Sequence, residues 1–283
     1  MVTARTAVTS SPPIAKADRI EGMAKGMAVL ESFDTQRQRL NATLAAERAG
    51  LTRAAARRHL LTLAHLGYLE TDGSYFWLAP KVLRFSGSYL ATARLPRAVQ
   101  PTLNRLAAQT QESFSVALLD GDEVVIIGRS GLEWKSTLSV GQAQDKVTAR
   151  LLAYGLHLGA RLPAHATSTG RVLLAAKTKT EFGAWLKARK DLGDLPRLTQ
   201  HTRTDPRLLK AAIEQVRRDD FCLATEEHEL GVHALAVPLR DMRGHTVAAL
   251  NVVSSPQRLS AGALQRQLLP LLLDAARELR ALL

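Results

Sequence analysis

The chain is short of several things, and each shortage removes a class of function. A single cysteine, Cys222, rules out an internal disulfide and any zinc site built from several cysteines. It reads as a buried apolar filler. His157, His165 and His201 lack the short spacing of a zinc ligand set, so no metal is expected. No apolar run approaches the roughly 18–20 residues of a membrane span. The opening MVTARTAVTSSPPIAKADRIEG has no apolar segment of the kind a secretory signal needs. These features fit a cytoplasmic protein with no membrane partner. There is no P-loop, GxGxxG, HExxH or GxSxG, so neither an enzyme nor a bound cofactor is expected. Acidic residues are scarce as well: 26 Asp and Glu against 38 Lys and Arg, a net charge of +12. Such an excess favours a polyanionic partner.

What is present is a folded, core-forming composition. Of 283 residues, 46% are hydrophobic and 23% charged, enough for two ordinary domains or one large one. Residues 1–19 are small, polar and proline-containing, and are expected to form a disordered arm. The positive charge is uneven. Residues 35–68 hold six arginines (Arg37, Arg39, Arg48, Arg53, Arg57 and Arg58) against one acid, Glu47.

Those arginines fall within an ordered set of elements. Apolar residues at 23, 27, 30 and 33 predict a helix, and residues 42–49 predict a second, interrupted by Gly50. Thr52 suits the N-cap of a third. In it Ala56, Leu60, Leu63 and Ala64 share one face, and Ala54, Arg58, Thr62 and His65 lie opposite. YLETDGSYFWL, with Asp72-Gly73 between β-prone residues, predicts a hairpin. Helix, helix, tight turn, helix, hairpin over residues 20–79 is a winged helix-turn-helix arrangement. A helix entering a major groove about 12 Å wide gains from the slim surface of Ala54 and Ala55, which suits thymine methyls. Thr52, Arg53, Arg57 and Arg58 bring donors for base edges and phosphates. Ser74 sits at the tip of the wing, which tracks the adjacent backbone. The same pattern also occurs in three-helix packing modules with a solvated arginine face and in winged helices that bind protein. The charge excess and the hairpin together favour double-stranded DNA.

Residues 80–95 predict a connecting helix opening at Pro80, and Pro96 restarts the chain. SFSVALLD and VVIIGRS, around Gly-Asp-Glu, predict a hairpin; STLSVG predicts a strand, and RLLAYGLHLG fits strand or helix. HATSTGRVLLAAK reads as a loop entering a helix, and TKTEFGAWLKARK and DPRLLKAAIEQVRRDD as amphipathic helices. FCLAT, HALAVPLRD and HTVAALNVVSS predict strands before a long closing helix. Residues 96–283 are therefore expected to be α+β, around an antiparallel sheet.

GLTRAAARRHLLTLAHLGYLE, LGARLPAHATSTGRVLLA, EEHELGVHALAVPLRD and VAALNVVSS occur in this order. On these stretches, residues 20–283 resemble the IclR family of bacterial transcriptional regulators. GLTRAAARR, SVALLDGDEVVIIGRS and RLPAHATSTGRVLLA are most similar to its aromatic-acid catabolism branch, which responds to protocatechuate, 4-hydroxybenzoate or β-ketoadipate. The resemblance implies a GAF-like effector-binding domain over 96–283 and a small organic acid, an aromatic carboxylate, as effector. It also implies a homodimer or dimer of dimers reading a pseudo-palindromic operator. Between Arg129 and Gly159 the chain is longer than the common family pattern.

The resemblance further implies an effector site against Thr167, Ser168, Thr169 and Gly170, and along later strands against Ala224, Val232, Ala234, Asn251 and Val253. The residues themselves leave alternatives open. Amides and hydroxyls at a helix N-terminus bind carboxylates, but a threonine or serine there also simply caps the helix, with Gly170 allowing a tight turn. Four of the five strand positions are small or apolar, suiting walls around an aromatic ring. Asn251 needs a partner, either a ligand or a neighbouring strand. His233 is expected to face away. Tyr154 and Arg161 are further candidates, Arg161 equally as a surface ion pair. Glu226, Glu227 and His228 read as a charged, solvated turn. Two functions compete: a ligand-responsive transcription factor, and a small-acid-binding protein or enzyme whose basic N-terminal module contacts protein. Salt-dependent DNA binding separates them.

Overall fold

The computed structural model describes residues 14–15, 17–34, 37–130, 157–191 and 195–283. Most of the expected 1–19 arm, the STLSVG strand, Tyr154 and nearly all of the 129–159 connection lie outside the described residues. The chain divides into two compact units, one ending at Thr92 and the other running from Ala93 to Leu283.

The first unit contains α1 (Glu21–Leu30), α2 (Ala42–Ala49), α3 (Arg53–His65), the hairpin β1 (Leu69–Thr71) and β2 (Phe76–Leu78), and α4 (Leu83–Thr92). Local chemistry fixes its short helices. The Asn41 side chain caps α2 by accepting from the Leu44 amide at 2.9 Å. Gly50, at φ +63°, ends α2 in the left-handed region where a side chain would be strained. The Thr52 hydroxyl caps α3 at the Ala55 amide, 3.3 Å away. Val29, Leu40, Ala45, Ala56, Leu60, Leu69 and Phe76 form a common core. The backbone of Leu40 exchanges both hydrogen bonds with Phe76 (3.0 and 2.8 Å), giving the hairpin a third edge.

The connector differs from the expected 80–95 helix. Pro80–Val82 is a single 3-10 turn, α4 ends at Thr92, and Arg94 and Leu95 already belong to α5 (Arg94–Thr110). Ala93 is extended and breaks the helix there. Pro96 is tolerated in the first turn of α5, where its missing N–H has no intrahelical acceptor.

The second unit is built on a six-stranded antiparallel sheet in the order β5-β4-β3-β8-β7-β6. Its strands are β3 (Ser113–Asp120), β4 (Glu123–Arg129), β5 (Arg161–Pro163), β6 (Cys222–Thr225), β7 (His233–Arg240) and β8 (Thr246–Ser254). The edge strand β5, only three residues long, has no apolar alternation that predicts it. On one face α5 and α9 (Ala261–Leu279) pack Val99, Leu103, Leu264, Leu268 and Leu272 against Leu235, Val237, Leu250 and Val252. The other face carries α6 (Ser168–Ala175), α7 (Lys179–Asp191) and α8 (Pro206–Asp219). There Val172, Leu174, Leu209 and Ile213 meet Ala117, Ala236 and Ala249. Helices on both faces explain why these strands read as nearly continuous apolar runs.

The alanines on the second face allow α6 to lie close. Gly170 serves the same end: a Cβ built there would sit 2.1 Å from the Ala164 carbonyl oxygen. Gly170 lies inside α6, so its role is this close approach and not the tight turn expected from sequence.

Candidate functional site

Each unit carries one region with functional chemistry. In the first, Thr52, Arg53, Ala54, Arg57 and Arg58 are exposed along the leading turns of α3, with Ala55 half-buried. Arg53, Arg57 and Arg58 make no ion pair with any described residue. Ser74 is exposed in the β1–β2 turn, where its amide donates to Asp72 Oδ1 at 3.0 Å. The cationic surface is narrower than six arginines suggest. Arg48 is ion-paired with Asp34, and Arg39 with Asp72 at 2.5 Å. Both acids lie just outside the window in which the sequence shows its charge excess.

In the second unit a cavity opens between the sheet and the N-terminus of α6. Thr167, Ser168 and Thr169 line it, together with Ala224, Val232, Ala234, Asn251 and Val253. Of the residues expected there only Gly170 is absent from the wall. Its amide donates to Thr167 Oγ1 at 3.1 Å, so Thr167 is the helix cap. Ser168 does not cap the helix: its hydroxyl is buried and has no hydrogen-bond partner. The amides of Ser168 and Thr169 in the first turn have no intrahelical acceptor. Together they offer an anion the partial positive end of α6. Asn251 Oδ1 accepts from the Ser115 hydroxyl at 2.5 Å across the paired strands β3 and β8, so Asn251 both ties the sheet and faces the cavity.

The turn after β6 departs from the expectation of a solvated charge cluster. Glu227, His228 and Glu229 all line the cavity. Glu227 is 4% exposed, and its carboxylate accepts a two-point contact from the guanidinium of Arg171, which is fully buried in α6 (Nη1 to Oε1, 2.6 Å). The Arg203 amide donates to Glu227 Oε2 at 3.2 Å. Glu226, at φ +57°, reverses the chain, and its Oε1 accepts the Gly231 amide at 2.8 Å. That reversal is what turns Glu227 inward. Burial, with His165 nearby, pushes the His228 imidazole down, and burial pushes the Glu229 carboxyl up. The sequence signal for this arrangement was Arg171 itself, a lone charge among the apolar residues of GRVLLA, which requires a buried acid.

Other candidates stay outside the cavity. Arg161 pairs with Glu123 at 2.6 Å and Asp120 at 2.8 Å on the surface. His233 is buried but does not line the cavity, in keeping with the alternation along β7. Burial raises the Cys222 thiol to about 11, which leaves it protonated and unreactive.

Known proteins match the chain along both units. The IclR helix-turn-helix domain matches residues 22–73, and the C-terminal domain of bacterial IclR regulators matches residues 87–281. The Pca operon regulatory protein of Acinetobacter baylyi is 48% identical over 275 residues, covering 97% of this chain and 93% of that protein. The p-hydroxybenzoate hydroxylase transcriptional activator of the same organism is 48% identical over 273 residues, 96% of this chain and 95% of that one. A solved inducer-binding domain, a double mutant of the PobR transcription factor from Acinetobacter in complex with 3-hydroxybenzoic acid, is 42% identical. It aligns with a TM-score of 0.57 over 66% of this chain and 98% of its own. Two matched domains spanning nearly the whole sequence, and relatives nearly half identical over almost their full length, make this chain a member of the IclR family of bacterial transcriptional regulators.

Proposed function

We propose that this regulator controls genes of aromatic-acid catabolism and that its effector is an aromatic carboxylate bound in the α6 cavity. The observation that carries the reading is the orphaned Ser168 hydroxyl, buried beside the free first-turn amides of α6 and facing small apolar walls from Ala224, Val232, Ala234 and Val253. A buried hydroxyl without a partner costs free energy unless something else completes its bonding. A carboxylate seated on the helix N-terminus does so, while the ring fills the apolar remainder. The relatives whose names tie them to the Pca operon and to p-hydroxybenzoate hydroxylase support the same ligand class.

On the DNA side, α3 enters the major groove with Thr52, Arg53, Ala54, Ala55, Arg57 and Arg58, and the wing carries Ser74 to the adjacent backbone. A homodimer or dimer of dimers presents two such helices to a pseudo-palindromic operator. The effector regulates by binding more tightly to one arrangement of the reading helices than to another.

The test is calorimetry of the full-length protein with 4-hydroxybenzoate, protocatechuate and benzoate, repeated on the Ser168→Ala/Asn251→Ala variant. Binding by the parent and loss of affinity in the variant, with operator binding retained, support the reading. Unchanged effector affinity in the variant would move the site elsewhere.

A further inference from the structure

We propose that Arg39 is a positioning residue for operator binding: it locks the turn of the wing and leaves the DNA phosphates to other arginines. The inference rests on the DNA-binding reading of the first unit.

Arg39 lies between α1 and α2, 33 residues before Asp72, yet its guanidinium caps the wing. Its central carbon stands 4.6 Å from the Trp77 ring centre and 5.8 Å from that of Tyr75, and it is ion-paired with Asp72 at 2.5 Å. Its neighbour Leu40 holds Phe76 through two backbone hydrogen bonds. Trp77 is fixed from the other side, its indole N–H donating to Glu70 at 2.9 Å.

Asp72 divides its two oxygens. Oδ1 accepts the amides of Ser74 (3.0 Å) and Tyr75 (2.8 Å) and so shapes the turn, while Oδ2 takes Arg39. Hence the placement of Ser74 depends on Asp72, and that of Asp72 on Arg39. The hairpin needs such support, because its strands are three residues each and an isolated two-stranded ribbon is marginal in water.

The charges point the same way. An acid at the tip of a wing that approaches a polyanion is electrostatically unfavourable, so its presence is explained by structure. Arg39 has its charge met by that acid and stands over the Trp77 and Tyr75 rings, whereas Arg53, Arg57 and Arg58 meet no acid among the described residues.

The experiment is fluorescence anisotropy of full-length protein on the intergenic operator DNA across a salt series, for the parent and for Arg39→Ala, Arg39→Lys, Asp72→Asn and Arg58→Ala. Asp72→Asn keeps an oxygen for the turn amides and removes only the ion pair. Expected are a rise in Kd of roughly two- to fivefold for Arg39→Ala, the scale of one exposed cation–π contact, a smaller rise for Arg39→Lys, and a rise for Asp72→Asn despite its lost negative charge. The slope of log K against log salt stays at the parent value in the Arg39 and Asp72 variants, while Arg58→Ala lowers it by about one. The Trp77 indole N–H resonance shifts in Arg39→Ala with the unfolding midpoint of the chain preserved.

Tighter binding by Asp72→Asn, or a slope reduced by about one in Arg39→Ala, would mean that Arg39 touches phosphate directly, and would overturn the inference. A parent complex indifferent to all Arg39 and Asp72 changes overturns the inference alone. Absence of any parent complex overturns the DNA-binding reading and the inference with it.

Discussion

Arg171 and Glu227 meet end-on at the cavity wall, Nη1 and Nη2 of the buried guanidinium facing the two oxygens of a carboxylate 4% exposed, and so join helix α6 to the turn that follows β6. Removing one partner leaves the other charged and enclosed. Glu227→Leu is therefore expected to cost about 3–5 kcal/mol of unfolding free energy, and Arg171→Met/Glu227→Leu less than either single change. Denaturant titration with a double-mutant cycle measures this. Additive single costs would show that the pair is not coupled.

Ser168→Ala separates ligand binding from folding. Because the Ser168 hydroxyl is buried without a partner, its removal is expected to leave stability unchanged or slightly raised. Effector affinity falls roughly three- to tenfold, the scale of one hydrogen bond. Calorimetry and thermal unfolding on the same preparation read both quantities. A drop in stability with unchanged affinity would make Ser168 structural.

Two glycines in helices should respond with opposite signs. A Cβ at Gly170 meets the Ala164 backbone at 2.1 Å, while one at Gly183 meets nothing within 4 Å. Gly170→Ala is expected to destabilise by about 3 kcal/mol or more, since a backbone cannot move aside as a side chain can. Gly183→Ala is expected to stabilise by up to about 1 kcal/mol through helix propensity. Unfolding midpoints that move the same way would show that α6 does not press against Ala164.

Glu229 is expected to make effector binding depend on pH. Burial raises its carboxyl, so the folded chain retains this proton above the ordinary glutamate range. Its stabilising contribution is present at low pH and is lost as pH rises through the folded value. In the same window the cavity wall gains a negative charge. Affinity for a carboxylate effector should therefore weaken as pH rises above the ordinary glutamate range. Glu229→Gln should flatten that profile, and an equally steep profile in the variant would assign the effect to another group.

The features legible in the sequence are those set by short-range chemistry. Thr52 caps the helix it was expected to cap, and Asp72-Gly73 turns the wing. The later strands show as apolar runs because both faces of the sheet are covered. The features that stayed hidden depend on contacts far apart in the chain. Arg171 and Glu227 are 56 residues apart, and nothing near TEEHE reveals that one of its glutamates turns inward. The need for glycine at 170 comes from Ala164 packing across a helix, a contact that no periodicity encodes. The strand Arg161–Pro163 exists only because β4 offers it an edge. Within the cavity, a hydroxyl with no partner and a hydroxyl that caps look identical in ATSTG, and only the fold shows Thr167 as the cap and Ser168 as the unpartnered one.

The central claim is that the cavity and the reading helix belong to one switch. Its most direct test is anisotropy of the full-length protein on intergenic operator DNA, at fixed salt, with and without saturating 4-hydroxybenzoate or protocatechuate. The account predicts a specific complex whose Kd moves by roughly fivefold or more with one of these acids, the usual scale of coupling between two sites, and a Ser168→Ala variant that needs more acid for the same shift. An acid that binds by calorimetry and leaves the DNA affinity unchanged would contradict it.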